Sequence, residues 1–193
     1  MGTLYVDKLD PQSGTTLSLG SSGDTLQATA GTTNNLGISA AHNWRLTTAY
    51  EVGTTSKAYI TANLEAVDTT GQGTLGSAMT ESSGVFTFPS TGIWYVGMLL
   101  YTYDGTDYDY AYSEIDVTVN NSAYTEVAQA VGNGMTGSSL RETSSYVSTL
   151  VDVTDTANVK VKFGLSASTT GVNVWGDSAR NGTSMMFIRL GDT

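Results

Sequence analysis

The stretch from Gly84 to Tyr103, with the sequence GVFTFPSTGIWYVGMLLYTY, decides the fold class. Its first part, 85–88, consists of side chains that favour strands, and Pro89-Ser90-Thr91-Gly92 has the chemistry of a tight turn, because proline fixes φ and glycine adopts positive φ. From Ile93 onward, an eleven-residue run carries apolar or aromatic side chains on both faces. A strand that is apolar on both faces must be covered on both, so we predict that it lies at the centre of a sandwich or at a subunit contact.

The composition indicates an all-β chain. The 193 residues suit one domain with an appendage, and 22 glycines with only 13% charged residues favour short strands and turns over helices. Turn residues bound each apolar segment after Glu51. The predicted strands are 58–64, 74–80, 85–88, 93–103, 108–119, 123–131, 145–153, 158–165, 172–175 and 184–190.

The spacing Gly84-x-Phe86-Thr87-x-Pro89-x-x-Gly92-x-Trp94-Tyr95 resembles the signature of the C1q/TNF jelly-roll family. Residues 58–64 resemble the first strand of that family and residues 182–192 its closing strand, so the resemblance covers roughly 57–192. It implies a jelly-roll β-sandwich that assembles as a homotrimer.

The N-terminal residues 1–43 differ from the rest of the chain. Short apolar positions recur there between turn-rich pieces, and strands this short cannot bury a core alone. We therefore predict an extended arm and connector that dock on other proteins, followed by a head over 44–193; a polar leader without fixed structure is the alternative. The predicted docking residues are Leu4, Val6, Leu9, Leu17, Leu19 and Leu26.

The arm has a resemblance of its own. Residues 6–25 are similar to the opening of structural proteins of tailed bacteriophages, marine ones especially, and residues 36–39 and 44–48 resemble the connector before a C1q-like head in such proteins. This implies a place in the virion and contacts with tail, portal-proximal or capsid proteins.

Charge and cysteine content exclude several classes of protein. With 18 acidic and 8 basic residues the formal charge is −10, which repels phosphate backbones and anionic lipid headgroups. We therefore expect no nucleic-acid partner and no membrane insertion. The absence of cysteine excludes disulfides and thiolate catalysis, and the first ten residues lack the basic and apolar regions of a signal peptide, so we expect no Sec-type export.

Neither of the motifs that could carry chemistry has the context it needs. The segment 132–137 matches G-x-G-x-x-G, but no helical periodicity follows it, which favours a β-hairpin loop. His42 is the only histidine and falls in the predicted connector, and no G-x-S-x-G motif is present. No pair of the many carboxylates stands out, so we expect no enzyme and no cofactor.

An acidic cluster at Asp104, Asp107 and Asp109 is the candidate metal site. Three carboxylates within six residues could hold Ca²⁺ through hard oxygens. Their spacing is not that of an EF-hand loop, and Asp-Gly is itself a turn signal, so solvated acids in a hairpin turn are favoured. We predict no metal, with these three residues as the ligands if calcium is bound.

Tyrosines alternate along the two predicted strands that flank this acidic turn. Packed against sister subunits they would form a threefold core, and exposed at a tip they could stack on sugars or protein; the first use is favoured because large apolar patches are seldom left open. The predicted trimer interface comprises Trp94, Val96, Met98, Leu100, Tyr101, Tyr103, Tyr110, Tyr112 and Phe187.

These inferences predict a virion-located, trimeric short tail or head fibre whose N-terminus anchors it and whose head adheres to a host-surface glycan or protein. The alternative is a capsid decoration or cement protein that stabilises the head of the virus. A secreted C1q-like ligand is disfavoured, since neither a signal peptide nor a Gly-X-Y stalk is present. A depolymerase spike would need a long β-helix for which 193 residues leave no room.

Overall fold

The computed structural model describes residues 38–104, 107–134, 137 and 141–193, without the side chains of Asp104 and Arg141. All of them fall in one unit, Asn35–Thr193. Throughout this part of the chain the regular structure is β-strand, and no helix in it is long and apolar enough to cross a membrane. The predicted docking residues of the arm, from Leu4 to Leu26, lie outside the described residues.

Thirteen strands are present in the described residues. They are β1 (Ala40–Leu46), β2 (Thr48–Val52), β3 (Ala58–Tyr59), β4 (Leu64–Ala66), β5 (Thr80–Ser82), β6 (Val85–Thr87), β7 (Gly92–Asp104), β8 (Tyr110–Thr118), β9 (Thr125–Asn133), β10 (Arg141–Val153), β11 (Lys160–Ala167), β12 (Val172–Asp177) and β13 (Ser184–Gly191).

The strands form two antiparallel sheets. Sheet 1 has the order β2-β12-β7-β13-β1-β4, with β10 paired along the other edge of β7. Sheet 2 has the order β5-β6-β11-β8-β9, with β3 paired to β11. The long strand β7 is therefore central in sheet 1, as its apolar character on both faces predicts.

The core lies between the two sheets and is rich in aromatic rings. Phe86 of sheet 2 is at the centre of the ring cluster, with its centroid 5.3 Å from those of both Phe163 and Phe187. Trp94 packs against Phe88 at 5.3 Å, and its indole Nε1 donates to the carbonyl of Ser90 at 3.1 Å. Aromatic pairs at such separations add to the stabilisation from burial, so the predicted signature residues hold the sheets together.

Two of the predicted strands are interrupted. The segment 58–64 contributes β3 to sheet 2 and β4 to sheet 1, and Asn63 between them has a φ of 58°, which ends an extended strand. The segment 74–80 forms only an isolated bridge at Leu75 before β5 begins. Residues 58–64 are therefore not the first strand, which is β1.

Three predicted turns connect different sheets. The Pro89–Gly92 turn leads from β6 in sheet 2 to β7 in sheet 1, and the acidic turn after Asp104 leads back to β8 in sheet 2. The segment 132–137 likewise leaves β9 of sheet 2 for β10 of sheet 1. The hairpins predicted at the last two places are wrong, because a corner between sheets needs the same turn residues as a hairpin.

The head begins earlier than the predicted boundary between residues 43 and 44. Strand β1 pairs with β13 from Ala40 onward, and Leu46 is completely buried. Residues 40–43 and 44–48, predicted as connector, are therefore part of sheet 1. His42 belongs to the folded head as well.

Candidate functional site

The outward surface of sheet 1 exposes large apolar side chains on three adjacent strands. Along β7 the even-numbered residues from Trp94 to Leu100 point into the core, so the odd-numbered ones face outward. Across β10 and β13, Leu150 is 61% exposed and Tyr146 is 49% exposed. We call this surface the outer apolar face; it comprises Tyr95, Leu99, Tyr146, Leu150, Met186, Ile188 and Leu190.

The strand register makes the outer apolar face continuous. Tyr95 lies between Leu150 of β10 and Ile188 of β13, and Leu99 lies beside Tyr146. Side chains directly opposite each other on one face of a sheet are in contact range. These residues therefore form one patch rather than scattered apolar positions.

Two tyrosines in this patch are held in place. The hydroxyls of Tyr95 and Tyr146 are 2.8 Å apart, and burial together with this hydrogen bond raises the pKa of Tyr146 to about 12. The ring of Tyr146 lies over Gly97, where any Cβ would collide with its hydroxyl. Because the rings are already fixed, little conformational entropy is lost when another surface packs on them.

Most of the predicted trimer interface lies elsewhere. Trp94, Val96, Met98, Leu100 and Phe187 are at most 1% exposed and pack inside the sandwich, so the prediction is wrong for these five. A side chain enclosed within its own subunit cannot contact a second one. The physical cause is that β7 is apolar on both faces, so its apolar pattern alone does not show which face points inward.

The four predicted tyrosines divide between the two sheets. Tyr101 and Tyr103 lie on the outward side of β7, next to the outer apolar face. Tyr110 and Tyr112 lie on β8 in sheet 2, with ring centroids 4.9 Å apart. The two pairs therefore do not form one surface, as the predicted hairpin required.

Sequence analysis missed the residues that do form the outer apolar face. One signal was available: the inward positions of β7 are uniformly large, whereas the outward positions include Gly97, with Ser148 opposite on β10. A protein core is closely packed, so the face of β7 whose side chains are all large fits the interior better than the face that contains Gly97.

A polar and aromatic groove adjoins this face at the far end of β7. It has a volume of about 580 Å³ and is open to solvent. Trp175 stacks on Tyr101 with centroids 5.5 Å apart, and Tyr103 meets the same indole edge-on at 5.5 Å. The groove is lined by Leu99, Tyr101, Glu142, Thr143, Ser144, Asn181 and Gly182.

Two polar groups in the groove are notable. Burial and a hydrogen bond to the Glu142 carboxylate raise the pKa of Tyr101. The Oδ1 atom of Asn181 is buried and has no hydrogen-bond partner within the described part of the chain. An amide oxygen in that position gains free energy from any donor that reaches it.

The acidic loop is tied to its neighbours by hydrogen bonds. Asp107 Oδ1 accepts from the backbone amide of Gly137 at 3.1 Å, and the amide of Asp109 donates to Ser168 Oγ at 2.7 Å. The side chain of Asp104 lies outside the described residues. In residues 38–104, 107–134, 137 and 141–193, no group of three or more Asp, Glu or His side chains is arranged to hold a metal ion.

A charged cluster covers the outward side of sheet 2. The ammonium of Lys57 lies 3.0 Å from Asp116 Oδ1, 2.5 Å from Glu126 Oε2 and 3.3 Å from Glu114 Oε2. Hydrogen bonds and ion pairs with these carboxylates raise the pKa of Lys57 although burial opposes this. Tyr59 donates to Asp116 at 2.6 Å, and burial followed by this bond raises the pKa of Tyr59 to about 12. The cluster fixes the short strand β3 against β8.

His42 acts as a hydrogen-bond acceptor in the core. It is 4% exposed, and its Nδ1 accepts from Trp44 Nε1 at 3.1 Å and from the amide of Met79 at 3.2 Å. Burial lowers the pKa of His42. The neutral ring, with an unprotonated Nδ1, is therefore the form that the fold requires.

The chain was compared with known proteins. No protein-family model matches it, and no curated protein matches it. The crystal structure of murine APRIL at pH 8.0 is similar with a TM-score of 0.52 and 9% sequence identity, covering 78% of this chain and 98% of that one. The structure of murine APRIL at pH 5.0 gives a TM-score of 0.53 at 7% identity with the same coverage.

These similarities extend over nearly the whole described head. The fold is a TNF/C1q-like jelly roll. Vertex protein P5 of PRD1 is also similar, with 10% identity, coverage of 80% of this chain and 99% of that one, and a TM-score of 0.49. The jelly roll explains why the predicted hairpins are connections between the two sheets, since strands that neighbour each other in a jelly-roll sheet are distant in sequence.

Proposed function

We propose that this protein is a structural protein of a bacteriophage virion: a homotrimeric short fibre of the tail or head, anchored by its N-terminal arm. Its jelly-roll head would contact the host surface. The arm's resemblance to the opening of tailed-phage structural proteins supports the virion location. The observation that carries the assembly is the outer apolar face.

The outer apolar face has the properties of a subunit interface. It is continuous across three adjacent strands, and both of its tyrosines are fixed in place. Contiguous apolar patches of this kind are rarely left in water by a monomer. A second copy of the chain is the proposed cover, in a ring that closes after three subunits as the jelly-roll resemblance implies.

Trimerisation would also supply the mechanism of adhesion. Three heads on one anchor convert weak single contacts into intramolecular ones, so avidity rises without a new chemical group. We propose no catalytic step: the one histidine of the chain is engaged as a buried acceptor, and the buried carboxylates Glu114 and Asp116 of sheet 2 are paired with Lys57.

The experiment that tests the assembly is the mass of the protein in solution. Light scattering on the full chain and on a chain lacking residues 1–37 should give a trimer in both cases. Leu150→Asp should dissociate it, because a charge would be placed in the apolar contact. Val127→Asp is the matched control, since Val127 is 48% exposed on β9 of sheet 2 and should leave the trimer intact.

The anchoring is tested separately on virus particles. Full-length protein should co-sediment with particles that lack it, and protein without residues 1–37 should not. An isolated trimer that adsorbs to host cells supports the fibre. Binding to empty capsids in multiples set by capsid symmetry, without binding to cells, would instead establish the decoration protein. A monomeric head would overturn the proposed assembly.

A further inference from the structure

We propose that the groove beside Tyr101 and Trp175 binds the ring of an uncharged sugar, a neutral hexose or an N-acetylhexosamine. This inference rests on the proposed adhesive function and names the chemistry of its contact. The groove shares Leu99 with the outer apolar face, and both lie on the outward side of sheet 1.

Tyr101, the aromatic side chain that lines the groove, is held rigidly by the rings beside it. Trp175 is stacked on Tyr101 with an interplanar angle of 26°, and Tyr103 supports the same indole from the side. Gly182 allows this approach, because a Cβ there would collide with the indole ring. The apolar C–H face of a sugar packs well on aromatic rings, and rings that are already fixed lose little entropy on binding.

The polar groups of the groove suit hydroxyl groups. Asn181 Oδ1 is buried without a partner in the described residues and needs a donor, and Glu142 offers a carboxylate acceptor. Ser144 supplies a hydroxyl group that both donates and accepts. A sugar hydroxyl also donates and accepts, so a ring carrying several of them can satisfy this set. The volume of about 580 Å³ lies within the range of about 300–1,000 Å³ that is typical of small-molecule sites.

Charge selects against acidic sugars. Glu142 lies in the groove, and the chain carries a formal charge of −10. A uronic acid or a phosphorylated sugar would bring a second negative charge close to this carboxylate in a partly desolvated site. The same argument excludes phosphate groups of lipids or nucleic acids as the main contact.

The groove can remain open in a trimer. Tyr101 is six residues beyond Tyr95 on β7, which is about 20 Å at about 3.3 Å per residue. A second copy centred on Tyr95, Leu150 and Ile188 therefore need not reach Trp175, and Leu99 marks the boundary between the two surfaces. Three grooves would then lie toward one end of the assembly, where one anchored fibre could engage three sugars.

The test uses the full chain and a defined set of probes: the methyl glycosides of glucose, galactose, mannose and N-acetylglucosamine, with methyl glucuronide as the anionic comparison. Saturation-transfer NMR and titration should show at least one uncharged glycoside binding with a Kd of order 1 mM, as expected for a small ligand in an open groove. Methyl glucuronide should bind at least tenfold more weakly than that glycoside.

Two variants locate the binding. Asn181→Leu and Glu142→Gln should each weaken it at least tenfold while the mass in solution stays that of wild type. Gln72→Leu, which removes an exposed side-chain amide on a loop, is the matched control and should bind as wild type.

Each contrary result has a definite meaning. Absence of binding by all four uncharged glycosides, or equal binding of the glucuronide, overturns the inference and leaves the proposed assembly untouched. Dissociation of the oligomer by Asn181→Leu also overturns it, because the groove would then be a subunit contact. A wild-type chain that is monomeric yet binds sugar at this groove contradicts the proposed assembly alone.

Discussion

Replacing Lys57 by methionine should destabilise the head by about 2–4 kcal/mol. Glu114 and Asp116 are 3% and 4% exposed at their side chains, and the Lys57 ammonium lies within 3.3 Å of both. Methionine keeps the length and apolar stem of lysine but removes the charge, which leaves two neighbouring carboxylates without their cation. Removing one partner of a buried ion pair typically costs about 3–5 kcal/mol.

The expected value is placed below that range for a structural reason. Lys57 is 27% exposed and Glu126 is 39% exposed, so water reaches one side of the cluster and screens part of the interaction. Hydrogen bonds to Glu114 from Ser166 at 2.9 Å and to Asp116 from Tyr59 at 2.6 Å remain in the variant and limit the loss.

The assay is urea denaturation of the full chain at fixed protein concentration, since oligomerisation makes apparent stability depend on concentration. Lys162→Met is the matched control: the same charge is removed from the same face, but Lys162 lies over the rings of Tyr59 and Tyr124 at 4.9 and 4.2 Å. A cation–π contact at such a site contributes about 0.5–1 kcal/mol. Equal losses in the two variants would refute the reasoning.

A rescue variant separates charge from packing. Adding Glu114→Gln and Asp116→Asn to Lys57→Met removes the two buried carboxylates and should recover at least half of the lost stability, because only Glu126, which is 39% exposed, then keeps an unpaired charge. No recovery would contradict the assignment of the loss to the two unpaired carboxylates.

Three further predictions concern other parts of the head. Burial keeps the pKa of His42 in the folded head below 6.5, so the unfolded chain binds a proton at this residue before the folded chain does as the pH falls. The free energy of unfolding should therefore decrease by up to about 1.4 kcal/mol per pH unit below pH 6.5. Chemical denaturation from pH 7.5 to 5.5 should show this additional dependence of stability on pH in wild type and not in His42→Gln. Gly84 has a φ of +80° and its added Cβ would collide with the Ile60 carbonyl, so Gly84→Ala should lower the thermal midpoint by more than Gly53→Ala, where space is open. Tyr50→Phe should change the free energy of unfolding by no more than about 0.5 kcal/mol, because the buried hydroxyl of Tyr50 has no partner in the described residues. Tyr59→Phe should lower it by about 1–3 kcal/mol, because Asp116 loses a hydrogen bond. A larger loss in Tyr50→Phe than in Tyr59→Phe would contradict the hydrogen-bond assignment.

Local chemistry was enough to predict the fold class and most strand positions. The 93–103 run is β7 with one residue added at each end, and the segment 184–190 is β13 with one residue added at its end. Both succeed because strand-forming side chains and turn residues act over a few positions. Strand β1 was missed for the opposite reason. His42 and Arg45 interrupt its apolar pattern, and their partners, among them Met79 and Glu65, are 37 and 20 residues away.

The same limit applies to the Lys57 cluster and the groove. Lys57 and Asp116 are 59 residues apart, and Tyr101 meets Trp175 across two strands that pair only because β12 returns to β7. No window of the sequence contains both partners. Such sites follow from the pairing of strands. Turn residues alone do not determine this pairing, because a hairpin and a corner between two sheets use the same turn residues.

The choice between the faces of β7 links fold to function. Its inward side chains pack against Phe88 and the other rings of the core, so their identity is constrained by the subunit itself. The outward side has no such constraint, yet it remains apolar at Tyr95 and Leu99, as do Tyr146 and Leu150 beside it on β10. Exposed apolar area of that kind lowers solubility unless another surface covers it. Self-association through sheet 1 accounts for the patch with the residues of this chain alone, and it leaves the polar groove at the end of β7 as the part of that face able to meet a different partner.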